Sequence, residues 1–370
     1  MSPLPIESGQ ILVYQLFTLA DTVDLDRLSA ALGVEAIVSP FTSRRPTPQY
    51  IQFRNPPITL PMGDRPVTLA PYRPLTARVT AKVFDFGVLS VRWSFPAPET
   101  FEELVLEAGH YIDNAELEAA SRQIVSELRP RLAMALKNPR KTQLFEDYTI
   151  FHVSAFQEPQ EADILFKREA GNLAQLLRGE RKPLSNSEQN EVLRARVSYY
   201  EDDLAVIDWN SAFIYDPEGG SEHLDTLEFA NAELLELRYY DRLLDEQLDA
   251  VYQAIARGQA LPRWRILLRN DYHQTLQRLM AITMDVIELT EQIDNALKFI
   301  GDLYSARVYR LIADRLRLRE WEGSIDGKIQ TAQQVFQMLT DQVDTRRSFA
   351  LEVIIILLIA LEIAMALSRH

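Results

Sequence analysis

The chain has 370 residues, 53 acidic against 39 basic side chains for a net charge of −14, 47% hydrophobic residues and no cysteine. Without thiols it can form no disulfide framework, thiolate nucleophile, zinc ribbon or iron–sulfur cluster, and its acidity argues against wholesale coating of nucleic acid. The 13 glycines are about half the usual share and leave little material for phosphate-cradling loops, while the length suits about two domains with real cores.

Charge and proline are unevenly placed: residues 1–100 hold 9 Lys or Arg, 8 Asp or Glu and 13 of the 19 prolines, so the acidity lies beyond them. The opening MSPLPIESGQ has neither the basic and apolar regions of a secretory signal nor an Arg-rich transit pattern, so the bulk of the chain is expected in the cytoplasm. Ile11 to Leu19 reads as a buried strand, Asp24 to Leu32 as a short helix and Val34 to Val38 as a strand. Nine prolines between Pro40 and Pro74 predict an extended arm or irregular edge strands. Thr76 to Phe95 is the strongest strand signal, broken at Gly87.

Helical periodicity starts at Glu99 and runs towards Leu136, with Pro130 as a kink or stop. Tyr148 to Phe156 alternates like a strand, Ile164 to Leu177 reads as a helix and Leu204 to Tyr215 as a strand, after which long helices follow Gly219 and Gly220. Val286, Leu289, Ile293, Ala296, Ile300 and Leu303 form a coiled-coil seam, and Ile325, Ile329, Ala332, Phe336, Leu339 and Val343 form another; the pattern slips between Arg307 and Ser324. Either a helical hairpin or one long stuttered helix fits 283–347. The expected fold class is α+β: an α/β head over 1–220, a coiled-coil-like helical stalk over 221–347, and a transmembrane helix over 348–367.

Phe349 to Leu367 carries that last expectation, since 19 residues make about 28 Å of helix against a hydrocarbon core of about 30 Å. Arg346 and Arg347 precede it, which orients the body to the cytoplasmic side of a C-terminal anchor. Glu352 and Glu362 weaken insertion and share one broad face, so partner helices and a homo-oligomer are expected.

Motifs for chemistry are sparse. Asp85-Phe86-Gly87 and Ala97-Pro98-Glu99 imitate a kinase pair, but too little chain precedes them for the rest of that machinery. Glu107 and His110 have the spacing of a di-iron ligand pair without a second copy, and His152 reads as a core histidine. No metal, cofactor or catalytic residue is assigned. Between Phe41 and Arg78, Arg44, Arg45, Arg54, Arg65, Arg73 and Arg78 face one acid, Asp64, among Phe41, Tyr50, Phe53 and Tyr72. Arginine with aromatics suits RNA or an anionic lipid surface, and suits equally well pairing with the chain's own acidic helices.

The strand FDFGVLSVRW, the stretch GDLYSARVYRLIADRLRLREWEGSIDGKIQ and the ending DTRRSFALEVIIILLIALEIAMALSR resemble the YagE, or required-for-meiotic-nuclear-division, family. The match to its ending falls on Arg346, Arg347, Leu351, Glu352, the run Val353 to Leu361, and Glu362. The resemblance implies an α/β domain, helices and a C-terminal transmembrane segment, and a role in translation through ribosome anchoring at a membrane. It supplies no catalytic residues. The expected function is a non-enzymatic, self-associating adaptor tethered to the bilayer, with RNA or the ribosome as partner. The alternative is a hydrolase or RNA-processing enzyme whose site is assembled from scattered carboxylates of the head.

Overall fold

The computed structural model describes residues 3–33, 37–38, 56–69, 73–140, 144–220, 222–259, 281–282, 284, 286–287, 303–335 and 337–338. The chain divides into two compact units, Met1–Tyr239 with Asp285–Trp321, and Tyr240–Met284 with Glu322–His370. The strands are β1 (Ile6–Thr18), β2 (Ala20–Val23), β3 (Ile37–Val38), β4 (Ile58–Leu69), β5 (Arg73–Val83), β6 (Val88–Pro96), β7 (Leu136–Pro139), β8 (Phe145–Phe156), β9 (Arg196–Val197), β10 (Leu204–Ile207) and β11 (Ser211–Tyr215). The helices are α1 (Leu25–Leu32), α2 (Phe101–Glu107), α3 (Ala115–Leu132), α4 (Ala162–Arg178), α5 (Asn186–Val192), α6 (Glu222–Gln259) and α7 (Leu303–Leu316), and residues 318–335 are also helical.

The first unit is a mixed α+β structure on a nine-stranded sheet ordered β3-β4-β5-β6-β1-β8-β11-β10-β9, with β2 and β7 paired separately. Its neighbours are antiparallel except β8 and β11, which run parallel. The central strand β1 is covered on both faces, which explains why ILVYQLFT reads as a continuous apolar run and not as an alternation. On one face Ile11, Val13, Phe17, Val79, Val91, Trp93, Phe151 and Phe213 join Phe101, Leu104, Leu117, Val125, Leu165 and Leu173 from α2, α3 and α4 in a single hydrophobic core. Trp93 satisfies its indole N–H on the Ser121 hydroxyl at 2.7 Å, so a polar atom can sit inside that core.

The other face mixes buried apolar side chains, among them Leu12, Leu16 and Ile150, with buried polar ones. In register across it stand Lys82 and Ser90, Arg92 and Tyr14, and Tyr14 and Tyr148. Of these, Lys82 is met by acids of α6, and so is Arg140 beyond β7. Lys82 Nζ lies 2.9 Å from Asp225 and 2.5 Å from Glu228, and Arg140 grips Glu236 with two bonds of 2.6 and 2.8 Å while stacking 3.7 Å from the Tyr239 ring. Residues 225, 228 and 236 share one helical stripe, whereas Glu222, Phe229 and Glu233 share a second that meets Ser305 and Tyr309 of α7.

Several expectations are corrected. The single helix from Glu99 to Leu136 is split into α2, a 3-10 turn at Ala108–His110, and α3, because Asn114 caps a new helix on the Leu117 N–H at 2.8 Å and Asp113 adopts φ 50°. Pro130 lies in the last turns of α3, which continues to Leu132. The single strand from Leu204 to Tyr215 is a hairpin of β10 and β11, turned by Asp208, Trp209 and Asn210. Of the two alternatives for Pro40 to Pro74, the described part is the irregular edge strand: β4 carries Pro61 and Pro66 with a register shift between Pro61 and Gly63, β5 starts with Arg73 and Pro74, and among the described residues most of β4 is an edge, where a missing N–H is tolerated. Between Arg307 and Ser324 the helix stops at Arg317, whose φ is 57°. Gly87 has φ 89° in the β5–β6 turn, and an added Cβ would lie 1.9 Å from the Ala20 carbonyl oxygen.

Among the described residues no helix is long and apolar enough to cross a membrane. The described helices bury one stripe and carry charges elsewhere; α7 alone has Arg307, Arg310, Asp314 and Arg315. The expected fold class ending in a transmembrane helix is corrected on that ground, and the expected C-terminal membrane anchoring with it. The segment from Phe349 to Leu367, with Arg346, Arg347, Leu351, Glu352 and Glu362, lies outside the described residues, as does much of the seam at 289–300. In the second unit Ile325 and Ala332 are buried, and Lys328 lies 2.7 Å from both Asp241 and Asp245.

Removing one partner of a buried pair strands the other's charge. Lys82→Met is expected to lower the free energy of unfolding by about 3–5 kcal/mol at pH 7 in urea melts. Adding Asp225→Asn and Glu228→Gln, which removes the stranded carboxylates, should recover much of that loss; a triple variant no more stable than Lys82→Met would contradict the pairing argument.

Candidate functional site

One cavity of about 400 Å³ opens in the first unit, lined by Glu146, Arg178, Glu191, Trp209, Leu234, Arg238, Arg315, Leu316, Arg317 and Trp321. Its residues come from six places in the chain, each set by local chemistry. Gly179, in the left-handed conformation, ends α4 and leaves Arg178 as its last residue. Ser185 caps α5, which carries Glu188 and Glu191. The stop of α7 at Arg317 places Arg315, Leu316 and Arg317 together. Leu234 and Arg238 come from α6, and Glu146 from β8.

The turn between β10 and β11 supplies the floor. The Tyr148 hydroxyl lies 3.0 and 2.8 Å from the carbonyl oxygens of Asp208 and Ser211, and the Ser211 hydroxyl donates to the Leu177 carbonyl at 2.7 Å. So pinned, the turn buries the Asp208 carboxylate completely and leaves Trp209 52% exposed. One Asp208 oxygen pairs with Arg315 and the other lies 3.1 Å from Arg178 Nη1, close enough for an ion pair but without a well-directed hydrogen bond. Each arginine reaches outward with its remaining arm, Arg178 to Glu188 at 3.0 Å and Arg315 to Glu191 at 2.8 Å. Both of those glutamates are about half exposed. The Nε atoms of Arg178 and Arg315 are buried without a hydrogen-bond partner. Arg317 is exposed and makes no side-chain ion pair or hydrogen bond among the described residues.

Burial works against the Arg315 charge, and its bonds to Glu191 and Asp208 outweigh that and raise its pKa. On the far wall burial raises the Glu146 carboxyl above the ordinary range although Arg238 pairs with it. Next to it Asp147 is pushed up to about 7, first by burial and then by the charges of Asp113 and Glu146. The lining contains no serine, histidine, lysine or tyrosine. What the arrangement can do is bind: guanidinium groups aligned by a buried carboxylate, beside two indoles and two leucines.

The residues singled out from sequence fall elsewhere. Arg65 pairs with Glu127 at 3.1 Å and Arg78 lies 3.8 Å from Asp64, Arg73 begins β5, and Arg44, Arg45 and Arg54 lie outside the described residues. His110 meets Arg181 at 3.1 Å on the surface, and His152 is buried with its pKa lowered by that burial, its Nδ1 3.3 Å from the Gln10 amide. Asp85 to Gly87 form the β5–β6 turn. None of the cavity's lining residues was singled out from the sequence. The two available signals were the Asp-Trp-Asn interruption of the apolar run at 204–215 and the charged break at 315–321.

A family model described as "Uncharacterized protein MJ0711, N-terminal domain" matches residues 8–222, which spans β1 to the start of α6 and includes the Asp208 turn. "Uncharacterized protein MJ0711" of Methanocaldococcus jannaschii is 26% identical over 249 residues, covering 67% of this chain and 74% of that protein. No solved structure matches. These matches overturn the resemblance to the YagE family: the matched region lies in the sheet domain, away from the chain's ending on which that resemblance mainly stood, and nothing in it points to membrane or translation.

An acid whose folded pKa exceeds its unfolded value binds more protons folded than unfolded between the two, so stability falls as pH rises through that window. For Asp147 the window runs from 3.8 to about 7. Asp147→Asn is expected to flatten that slope and to exceed the parent in stability at pH 8, measured by urea melts at pH 5 and pH 8; an unchanged slope would contradict the assignment.

Proposed function

The chain belongs to the family described as "Uncharacterized protein MJ0711, N-terminal domain", and we propose that its sheet domain is a non-catalytic recognition head that captures an anionic ligand in the arginine and tryptophan cavity. The observation that carries this reading is the fully buried Asp208 holding Arg178 and Arg315 at the floor of an open cavity, with a buried Nε on each left without an acceptor. Arg92 also has a buried Nε without a partner, but only Arg178 and Arg315 have theirs beside an open cavity that both residues line. Here the outward arms rest on half-exposed glutamates, and exposed pairs of that kind contribute only about 0–1 kcal/mol. An incoming anion can replace them at small cost, and a guanidinium fork suits phosphate or carboxylate oxygens.

A second reading, a hydrolase, draws on the raised Asp147 beside Glu146 and Asp113. Against it, Asp147 is not among the cavity's lining residues, and Glu146 is held by Arg238. No serine, threonine, cysteine, histidine, lysine or tyrosine lines the cavity, and the carboxylate of Glu191 is paired with Arg315.

Calorimetric titration of the full chain with inorganic pyrophosphate tests the proposal. Saturable binding is expected, weakened about tenfold by Arg315→Gln and by several fold with the exposed Arg317→Gln, and falling with added salt. Arg317→Gln keeps the test sound if Arg315→Gln disturbs the fold. Absence of binding to the parent chain, or affinity untouched by either variant, would refute it.

A further inference from the structure

We infer that the ligand of this cavity is a nucleoside 5′-phosphate, an inference that rests on the anion-binding reading above. An anion alone does not account for the site. A bare phosphate needs only the guanidinium floor, whereas about 400 Å³ lies within the range of pockets that enclose whole small molecules. The remaining lining is aromatic and aliphatic: Trp209, Trp321, Leu234 and Leu316. Trp209 is 52% exposed although it stands beside a buried core, because the hairpin turn that buries Asp208 turns the indole outward. Among the described residues neither tryptophan makes a ring contact with another aromatic side chain, and both line the cavity. Indole faces stack on any base, and Arg guanidinium groups clamp phosphate oxygens in pairs.

The polar wall fits the same guest. Glu191 and Glu146, both acceptors when ionised, are placed to receive hydroxyl or amino hydrogens of a sugar or base, which a plain anion does not offer. The phosphate would take the places of Glu188 and Glu191 on the outward arms of Arg178 and Arg315, with the exposed Arg317 as a third cation. The phosphate can belong to a free nucleotide or to the 5′ end of a single strand; the recognition chemistry is shared.

Calorimetry on the full chain with AMP, adenosine, inorganic phosphate, pyrophosphate and a 5′-phosphorylated hexa-adenylate separates these cases. AMP is expected to bind at least tenfold more tightly than adenosine or phosphate. Trp209→Ala and Trp321→Ala should each weaken AMP about tenfold and leave pyrophosphate within about twofold; Trp209 is exposed, so that variant is expected to fold. Hexa-adenylate binding more tightly than AMP assigns the pocket to a strand end, and equal affinity assigns it to the free nucleotide; either supports the inference. If pyrophosphate binds and AMP is no tighter than phosphate, the nucleoside assignment falls while anion recognition stands. If neither pyrophosphate nor AMP binds, both fall.

Discussion

An ammonium group buried between a sheet and a helix cannot stand alone, and Lys82 imposes that constraint on the first unit. Its strand is the third of nine in the sheet, its side chain lies on the face away from the hydrophobic core, and among the described residues the carboxylates of Asp225 and Glu228 neutralise it. Arg140 makes the same demand of Glu236 further along the same helix. Two buried cations at separate points of one stripe set both the rotation and the axial position of α6. An apolar stripe can slide by a turn with a modest loss of packing, but a slip here would strand charges in a region of low dielectric.

The cavity inherits its geometry from that seat. With Asp225, Glu228 and Glu236 turned to the sheet, Leu234 and Arg238 fall on the cavity wall, and Glu222, Phe229 and Glu233 meet α7. That contact holds α7 so that its last turn delivers Arg315 to Asp208. The two kinds of buried ion pair then differ in completeness. At Lys82 and Arg140 the charges are enclosed by short bonds on every side that counts, which fits a structural role. At Asp208 the carboxylate is fully buried, while its arginine partners keep unsatisfied Nε atoms and lean outward on exposed glutamates. Incomplete satisfaction of two arginines that line an open cavity, beside the half-exposed Trp209, distinguishes a site from a strut.

The raised Asp147 follows Glu146 of the cavity wall in the chain without lining the cavity itself. It follows from crowding Asp113, Glu146 and Asp147 where burial already disfavours charge. Arg238, which faces Glu146 from α6, relieves one of the three. The wall therefore carries a strain in charge that α6 partly relieves, another sign that this helix is the keystone of the polar side.

Local patterns in the sequence determined the elements whose signal is local. The apolar run at 11–19 and the alternations near 76–95 and 148–156 mark strands because side chains on both pleat faces, or on one, must leave water. The capping residue Asp24 marks a helix start because it satisfies a free N–H three residues on, whereas the helix capped by Ser185 was not read from the sequence. The break within 99–136 was not legible, since left-handed residues other than glycine leave little trace in composition, and the stop at Arg317 showed only as a slip of the apolar pattern between Arg307 and Ser324. The long apolar ending invited a membrane reading because hydropathy alone does not say what covers a segment. Tertiary structure alone decided which acids of α6 are buried and which arginines meet Asp208. Arg178, Asp208 and Arg315 are separated by up to 137 residues of chain. No period of 2 or 3.6 encodes a convergence made by a helix end, a hairpin turn and a second helix end, so only the packed sheet and its two polar-side helices could bring the site together.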